Sequence, residues 1–129
     1  MEQISIGASA TAEMTVTEST TAQTMGSGSL AVLATPAVVA LMEQAACRAV
    51  ENGLEAGITT VGTMISIEHL SATPVGAVVT ARAVLTQTDG RKYCFDVEAS
   101  DGAGLIAKGK HERFTVKAER FMEKTNSKI

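Results

Sequence analysis

The sequence predicts an α+β protein in which one antiparallel sheet wraps around a single long helix. Three observations lead there. A capped, almost wholly apolar helical stretch begins near residue 35. Everything from residue 57 to about 116 carries strand patterning, and two Asp-Gly pairs, Asp89-Gly90 and Asp101-Gly102, punctuate it at hairpin positions. The chain has 129 residues, which predicts a single domain over 1–129 with a charged C-terminal tail from about 117. A chain of this size hides about two-thirds of its unfolded surface on folding, enough for one core without staples.

Taken in order, Ala12 to Thr17 alternates apolar and polar residues, the period of a half-buried strand. Ser19 to Ser29 is polar and ends in Met25-Gly26-Ser27-Gly28-Ser29, a loop or a lid. Thr35 is a suitable N-cap, with Pro36 at the first helical position where its missing N–H costs nothing. Leu41, Met42, Ala45, Ala46, Ala49 and Val50 then recur at helical spacing, and Asn52-Gly53 supplies the stop. A helix apolar nearly all round has to be wrapped, and a curved sheet is the available wrapper. Thr59 to His69 is the next strand, with Val61, Thr63, Ile65, Ile67 and His69 on one face. Pro74-Val75-Gly76 turns the chain into Ala77–Thr88. Arg91–Ser100 follows, with Tyr93, Phe95, Val97 and Ala99 on one face, and Leu105–Val116 is the last strand. The tight turns predict antiparallel neighbours in sequence order.

Hydrophobic residues at 45% and charged residues at 19% exclude a disordered chain or a coiled coil. With aromatics at 3%, the core has to be built from Ala, Val, Ile, Leu and Met. A net charge of −3 argues against nucleic-acid binding by phosphate neutralisation. The apolar stretch Leu30–Met42 is broken by Thr35 and Pro36 and is too short to cross a bilayer. No secretory signal is visible in the first twenty residues, which predicts a cytoplasmic protein. Cys47 and Cys94 lack metal or redox spacing and read as small buried or half-buried thiols in a reducing compartment.

Few residues stand out as chemistry. Glu43 interrupts the apolar helix: either it lies on a solvated stripe beside Gln44, or it is a dehydrated carboxylate kept for a purpose. Thr35 is explained by capping, yet the helix start it occupies exposes N–H groups and a positive dipole end suited to an oxyanion. His69 shares a face with Ile65 and Ile67 and reads equally as a core histidine or a catalyst. Lys108-Gly109-Lys110-His111-Glu112-Arg113 reads as a solvated edge strand whose cations suit phosphates. Neither histidine nor cysteine spacing suggests a metal site, and phosphate-loop and nucleophile-elbow motifs are absent.

Together these pieces resemble a known family. The strand–helix–four-strand order is similar to the hot-dog fold of acyl-CoA thioesterases. Ala34-Thr35 with Leu41-Met42-Glu43, then Gly62-Thr63, Glu68-His69 and Ala72-Thr73-Pro74, resembles the fluoroacetyl-CoA thioesterase branch. Asp89-Gly90-Arg91 and Gly109-Lys110-His111-Glu112-Arg113-Phe114 continue the likeness over about residues 10 to 117. The resemblance implies thioester hydrolysis of a small acyl-CoA at a Thr35/Glu43/His69 site, with Gly62 lining it and no cofactor beyond the CoA of the substrate. It also implies a homodimer or higher oligomer with sites at the interface. One departure is visible: no aromatic residue precedes Tyr93, so Ser19–Ser29 supplies no aromatic gate, and fluoroacetyl selectivity is not carried over.

On this reading Glu43 is the nucleophile or general base, His69 orients or protonates, and Thr35 with Gly62 holds the carbonyl. Eight residues along a regular helix separate Thr35 from Glu43 by about 12 Å of rise and about 80° of rotation. The substrate therefore spans them, or the helix is distorted, or a second subunit completes the site. Arg91, Lys92, Lys110 and Arg113 are the candidate partners for CoA phosphates. A hot-dog hydratase or dehydratase and a non-catalytic acyl-CoA binder are the competing functions.

Overall fold

The computed structural model describes residues 4–129. Its elements are β1 (Ser9–Thr15), a short helix α1 (Ala22–Met25), the long helix α2 (Thr35–Val50), β2 (Ile58–His69), β3 (Val78–Thr88), β4 (Lys92–Asp101), β5 (Gly104–Lys117) and α3 (Ala118–Asn126). The five strands form one antiparallel sheet in the order β1-β3-β4-β5-β2. This order corrects the expectation that consecutive strands are neighbours. The segment between β2 and β3 is no tight turn: it carries β2 to the far edge and leaves β3 beside β1. Buried Thr73 anchors this crossover, its carbonyl accepting from Leu33 N–H and its hydroxyl donating to Asp101 Oδ2 at 2.8 Å.

The core lies between α2 and the inner face of the sheet. Ala37, Val38, Leu41, Met42, Ala45, Ala46 and Val50 are the buried residues of α2, and the helix packs chiefly on β1 and β3. Opposite them, strand alternation lines up Ala12, Ala81, Ala83, Leu85, Phe95, Val97, Ala99 and Ala107. Alanine against alanine lets backbone approach backbone, so the scarcity of aromatics becomes a closely seated helix rather than a void.

Two positions on β2 and β5 set the sheet's shape. Gly109 pairs with Ile67, and a Cβ there would run into the Ser66 carbonyl and the Ile67 backbone. At Thr63 the register between β2 and β5 slips by one: Gly62 faces Arg113, yet Met64 faces Glu112. This bulge corrects the face assigned to β2 from its alternation. Val61 does not share a face with Ile65, Ile67 and His69; register with inward-facing β5 residues puts Thr60 and Gly62 there instead. Hairpins form at both Asp-Gly pairs, but the second turn is Gly102-Ala103, since Asp101 still belongs to β4 and pairs with Gly104. Asp89 Oδ1 accepts from Lys92 N–H at 2.8 Å and Arg91 N–H at 2.9 Å, which holds its carboxyl below the usual value.

The close approach at Gly109 yields a prediction. Gly109→Ala should lower the free energy of unfolding by about 1–3 kcal/mol, as overpacking does, read from the urea midpoint against the wild type.

Candidate active site

Of the residues singled out from the sequence, Thr35, Glu43, Gly62, His69 and Arg113 gather into two clusters on the inner face. The first joins the start of α2 to the end of β2. Ala34, not Thr35, is the N-cap, and it has no side chain to cap with. That corrects the capping role given to Thr35, which is the first helical residue. Its hydroxyl is free to meet His69, with Oγ1 2.8 Å from Nδ1. The imidazole's other nitrogen, Nε2, is buried and has no hydrogen-bond partner among the described residues. When the Thr35 O–H donates to Nδ1, the ring proton sits on Nε2, a donor with no acceptor. The backbone N–H of Thr35 likewise has no backbone acceptor among the described residues and lies at the positive end of the α2 dipole.

The second cluster surrounds Glu43, two turns further along α2. Glu43 Oε2 accepts from Arg113 Nη1 at 3.2 Å. The carboxylate side chain is 40% exposed whereas the guanidinium is 7% exposed, so the acid reaches a cavity and its partner is buried behind it. Arg113 is fixed from three sides: Nε donates to Thr60 Oγ1 at 2.9 Å, Nη2 to the Thr60 carbonyl at 3.0 Å, and Nη1 also to His111 Nε2 at 3.2 Å. His111 Nδ1 lies 2.8 Å from the Met64 carbonyl, so Nδ1 carries the proton and Nε2 offers its lone pair to Arg113. Burial, with Arg113 adding to it, pushes the His111 pKa below its usual value. The ring is therefore neutral, and its Nε2, 4.0 Å from Glu43, makes no ion pair with it. Gly62 closes this cluster: a Cβ there would collide with the Glu43 carboxylate and approach Arg113 Nη1 to 3.2 Å.

These placements revise three expectations. Lys108–Arg113 is no solvated edge, because β5 is an internal strand and alternation turns His111 and Arg113 inward. Arg113 is thus removed from the phosphate-binding set: it is buried and committed to Glu43. Lys110 faces the opposite side of the sheet, ion-paired with Asp96, and Lys92 pairs there with Glu112 at 3.2 Å. Arg91 keeps an exposed cationic side chain near the end of β5. His111 and Thr60 went unrecognised as site residues, although the alternation of Lys108, Lys110 and Glu112 with Gly109, His111 and Arg113 was the available signal. Within one chain α2 is regular, and no hydrogen bond or ion pair joins the Thr35–His69 pair to Glu43 among the described residues.

A cavity of about 690 Å³ opens beside Glu43 and Arg113, walled by Met14, Met25, Ala37 and Leu41. No aromatic side chain lines it. Among the described residues no group of three or more His, Cys, Asp or Glu is placed to hold a metal ion.

A helix cradled by a five-stranded antiparallel sheet defines the hot-dog fold, whose inner face here carries a carboxylate, an imidazole and a hydroxyl. The same fold occurs in a hot-dog-like protein from Thermanaerovibrio acidaminovorans, at TM-score 0.85 and 21% identity over 96% of this chain and 92% of that one. The family can be stated more narrowly. The model of the FlK family, fluoroacetyl-CoA-specific thioesterase, matches residues 16–119. The fluoroacetyl-CoA thioesterase of Streptantibioticus cattleyicolor is 41% identical over 97 residues, 75% of this chain and 70% of that protein. A solved structure of the fluoroacetyl-CoA thioesterase FlK superimposes with a TM-score of 0.93 at 33% identity, covering 99% of both chains. The chain belongs to the fluoroacetyl-CoA thioesterase family, a family of thioester hydrolases.

The buried neutral imidazole makes stability pH-dependent. Because the folded His111 pKa lies below the unfolded value of 6.5, the unfolded chain binds the extra proton first. The contribution is fully present above that value and is lost as pH falls toward the depressed folded pKa. Urea midpoints should therefore drop as pH falls below about 6.5, and His111→Asn, which keeps a donor for the Met64 carbonyl, should flatten the drop.

Proposed function

We propose that the protein hydrolyses a short-chain acyl-CoA to the free acid and CoA, without selectivity for the fluoroacetyl group, at a site built from two copies of the chain. The observation that carries this reading is the division of the site into two incomplete halves. Thr35 and His69 offer an unmet N–H donor and an unmet imidazole nitrogen. Glu43, two turns away, offers a carboxylate held by a buried arginine and open to a cavity. β2 is an edge strand, and its Ile65 and Ile67 are only half-buried. Antiparallel pairing of two such edges about a two-fold axis brings the His69 end of one strand against the Gly62 end of the other. His69 of one copy then faces Glu43 of the other.

In this arrangement Glu43 takes a proton from water as the water oxygen attacks the thioester carbon, forming the C–O bond. The oxygen that becomes negative is held by the Thr35 N–H at the positive end of α2. Collapse of the tetrahedral intermediate breaks the C–S bond; the sulfur leaves as a thiolate stabilised by the His69 Nε2–H, Nδ1 being fixed by the Thr35 hydroxyl, and takes up the proton that Glu43 gained from water, which restores the carboxylate. Arg113 aims the carboxylate, and Gly62 leaves it room. Hydrolysis by water requires no cofactor.

The lack of aromatic residues in the cavity wall supports breadth toward small acyl groups over discrimination of fluorine from hydrogen. No helix is long and apolar enough to cross a membrane among the described residues, and both cysteines are free, which agrees with a cytoplasmic enzyme.

Thiol release from a panel of acyl-CoAs tests the reading. Glu43→Gln should lower kcat by about 100-fold to about 10,000-fold with folding intact, the range of a lost general base; an undiminished rate removes Glu43 from the chemistry. His69→Ala should also lose turnover per folded molecule. Loss of stability at full specific activity would return it to a core role, and wild-type binding of acyl-CoA without thiol release would make the protein a binder.

A further inference from the structure

No step of the proposed chemistry uses His111, yet its ring lies directly behind the acid at 1% exposure. Two fixtures hold the imidazole. Nδ1 donates to the Met64 carbonyl at 2.8 Å, just past the bulge at Thr63. The Phe95 ring stacks on it, with centroids 6.0 Å apart and planes 28° from parallel. With Nδ1 spent and the ring plane set, the one task left to Nε2 is to accept. Thr60 takes the Nε and Nη2 sides of the Arg113 guanidinium, so the partners of Nη1 decide how Glu43 is held. Nη1 lies 3.2 Å from Glu43 Oε2 and 3.2 Å from His111 Nε2, one acceptor for each of its two hydrogens.

An amide or hydroxyl oxygen would satisfy Nη1 equally well. Histidine differs in one respect: a proton on Nε2 turns the acceptor into a donor. Nε2–H would then oppose Nη1–H, two cations 3.2 Å apart. Glu43 Oε2 stands 4.0 Å from Nε2, about 1 Å outside hydrogen-bond range. Among the described residues it is the only carboxylate paired with either group. A small inward rotation of Glu43 closes the gap, leaving the carboxylate between two cations, turned from the cavity and less basic. The charges facing the ring are Arg113 from its own strand and Glu43 from α2. Glu112 is the next residue along β5, on the other face of the sheet, while β2 brings the Met64 carbonyl and β4 the Phe95 ring. Burial first, helped by Arg113, keeps the ring neutral at neutral pH against the pull of that carbonyl and the two glutamates.

We infer that His111 is a positioning residue of the hydrolysis: its lone pair shares Arg113 Nη1 with Glu43 and leaves the carboxylate turned to the cavity, whereas a proton on Nε2 draws Glu43 inward and stops turnover. The role rests on the thioesterase reading and deepens it, because the acid limb of activity then belongs to a residue that never touches the substrate. Glu43 and His69 keep their parts in the chemistry.

Two variants of His111 separate orienting from folding. His111→Asn keeps a donor for the Met64 carbonyl and leaves Nη1 without its second acceptor. His111→Gln sets an amide oxygen near the place of Nε2 and takes up no proton. In acetyl-CoA hydrolysis, His111→Asn should lower kcat about 10-fold to about 100-fold, the cost of a misplaced catalytic group, with KM within about twofold. His111→Gln should bring kcat back to within about threefold of the wild type and carry its acid limb to lower pH. Equal losses in the two variants at equal urea midpoints overturn the proposal, as does an acid limb in His111→Gln that coincides with the wild type's. Where a variant fails to fold, the wild type decides. The chain has two histidines, and the ring titration of His111, assigned by NMR against His69→Ala, must coincide with the acid limb of kcat; a titration elsewhere overturns the proposal. Should the wild type release no thiol from any acyl-CoA, the thioesterase reading fails by itself, and the carbon resonance of the Glu43 carboxylate decides the coupling. A step in that resonance at the His111 titration supports it, and the lack of one overturns it.

Discussion

A buried guanidinium organises this molecule's chemistry. Arg113 sits on the inner face of an internal strand, where a lone cation would be intolerable, and every direction it points has been answered: Thr60 on β2, His111 on its own strand, Glu43 on α2. Removing Thr60 or His111 would leave a guanidinium donor unmet away from water, at a cost of about 1–3 kcal/mol for an unsatisfied buried group, whereas Glu43 is reached by solvent through the cavity. The network therefore ties helix to sheet as it fixes the carboxylate. His111 belongs to it as an acceptor only because its other nitrogen is spent on the Met64 carbonyl. A histidine that is easily read as a surface residue is thereby made the element that orients the arginine.

The division of labour between the two ends of α2 follows from helix geometry. The start of the helix contributes an N–H and a positive dipole end, and also the hydroxyl that holds His69. The middle of the helix contributes the acid. No regular helix brings the two together, and the unpaired edge of β2 offers a second copy the means to do so. Under the two-copy reading proposed above, catalytic competence and association are one property, since a single chain holds both halves of the site but apart from each other.

Much of this was legible in the sequence. Pro36, the apolar spacing from Leu41 to Val50 and the Asp-Gly pairs carried enough local information to set the helix and the hairpins, because those features depend on neighbours along the chain. Strand order did not follow, since the pairing of β2 with β5 joins residues far apart along the chain and leaves no local signal in either strand. Thr35, Glu43 and His69 were grouped only through a family likeness, and of the three the structure brings Thr35 and His69 together within one chain. The roles of Arg113 and His111 were hidden for a physical reason: whether a charged run is solvated depends on whether its strand is internal, and that is a tertiary fact. The capping assignment of Thr35 failed similarly, because a hydroxyl near a helix start has more than one available partner, and His69 is thirty-four residues away.

The extra residue at Thr63 has a bearing on how much one strand can be asked to do. By rephasing one strand midway, it lets the stretch around Ile65 and Ile67 keep its place in the barrel-like wrap while the stretch around Thr60 and Gly62 is presented to the reacting group. The two halves of a single strand are thereby released from sharing one alternation. The stretch at Thr60 and Gly62 can then answer to what the carboxylate and the guanidinium need, room and acceptors, while the stretch at Ile65 and Ile67 answers to packing, and neither demand is imposed on the other through the pleat.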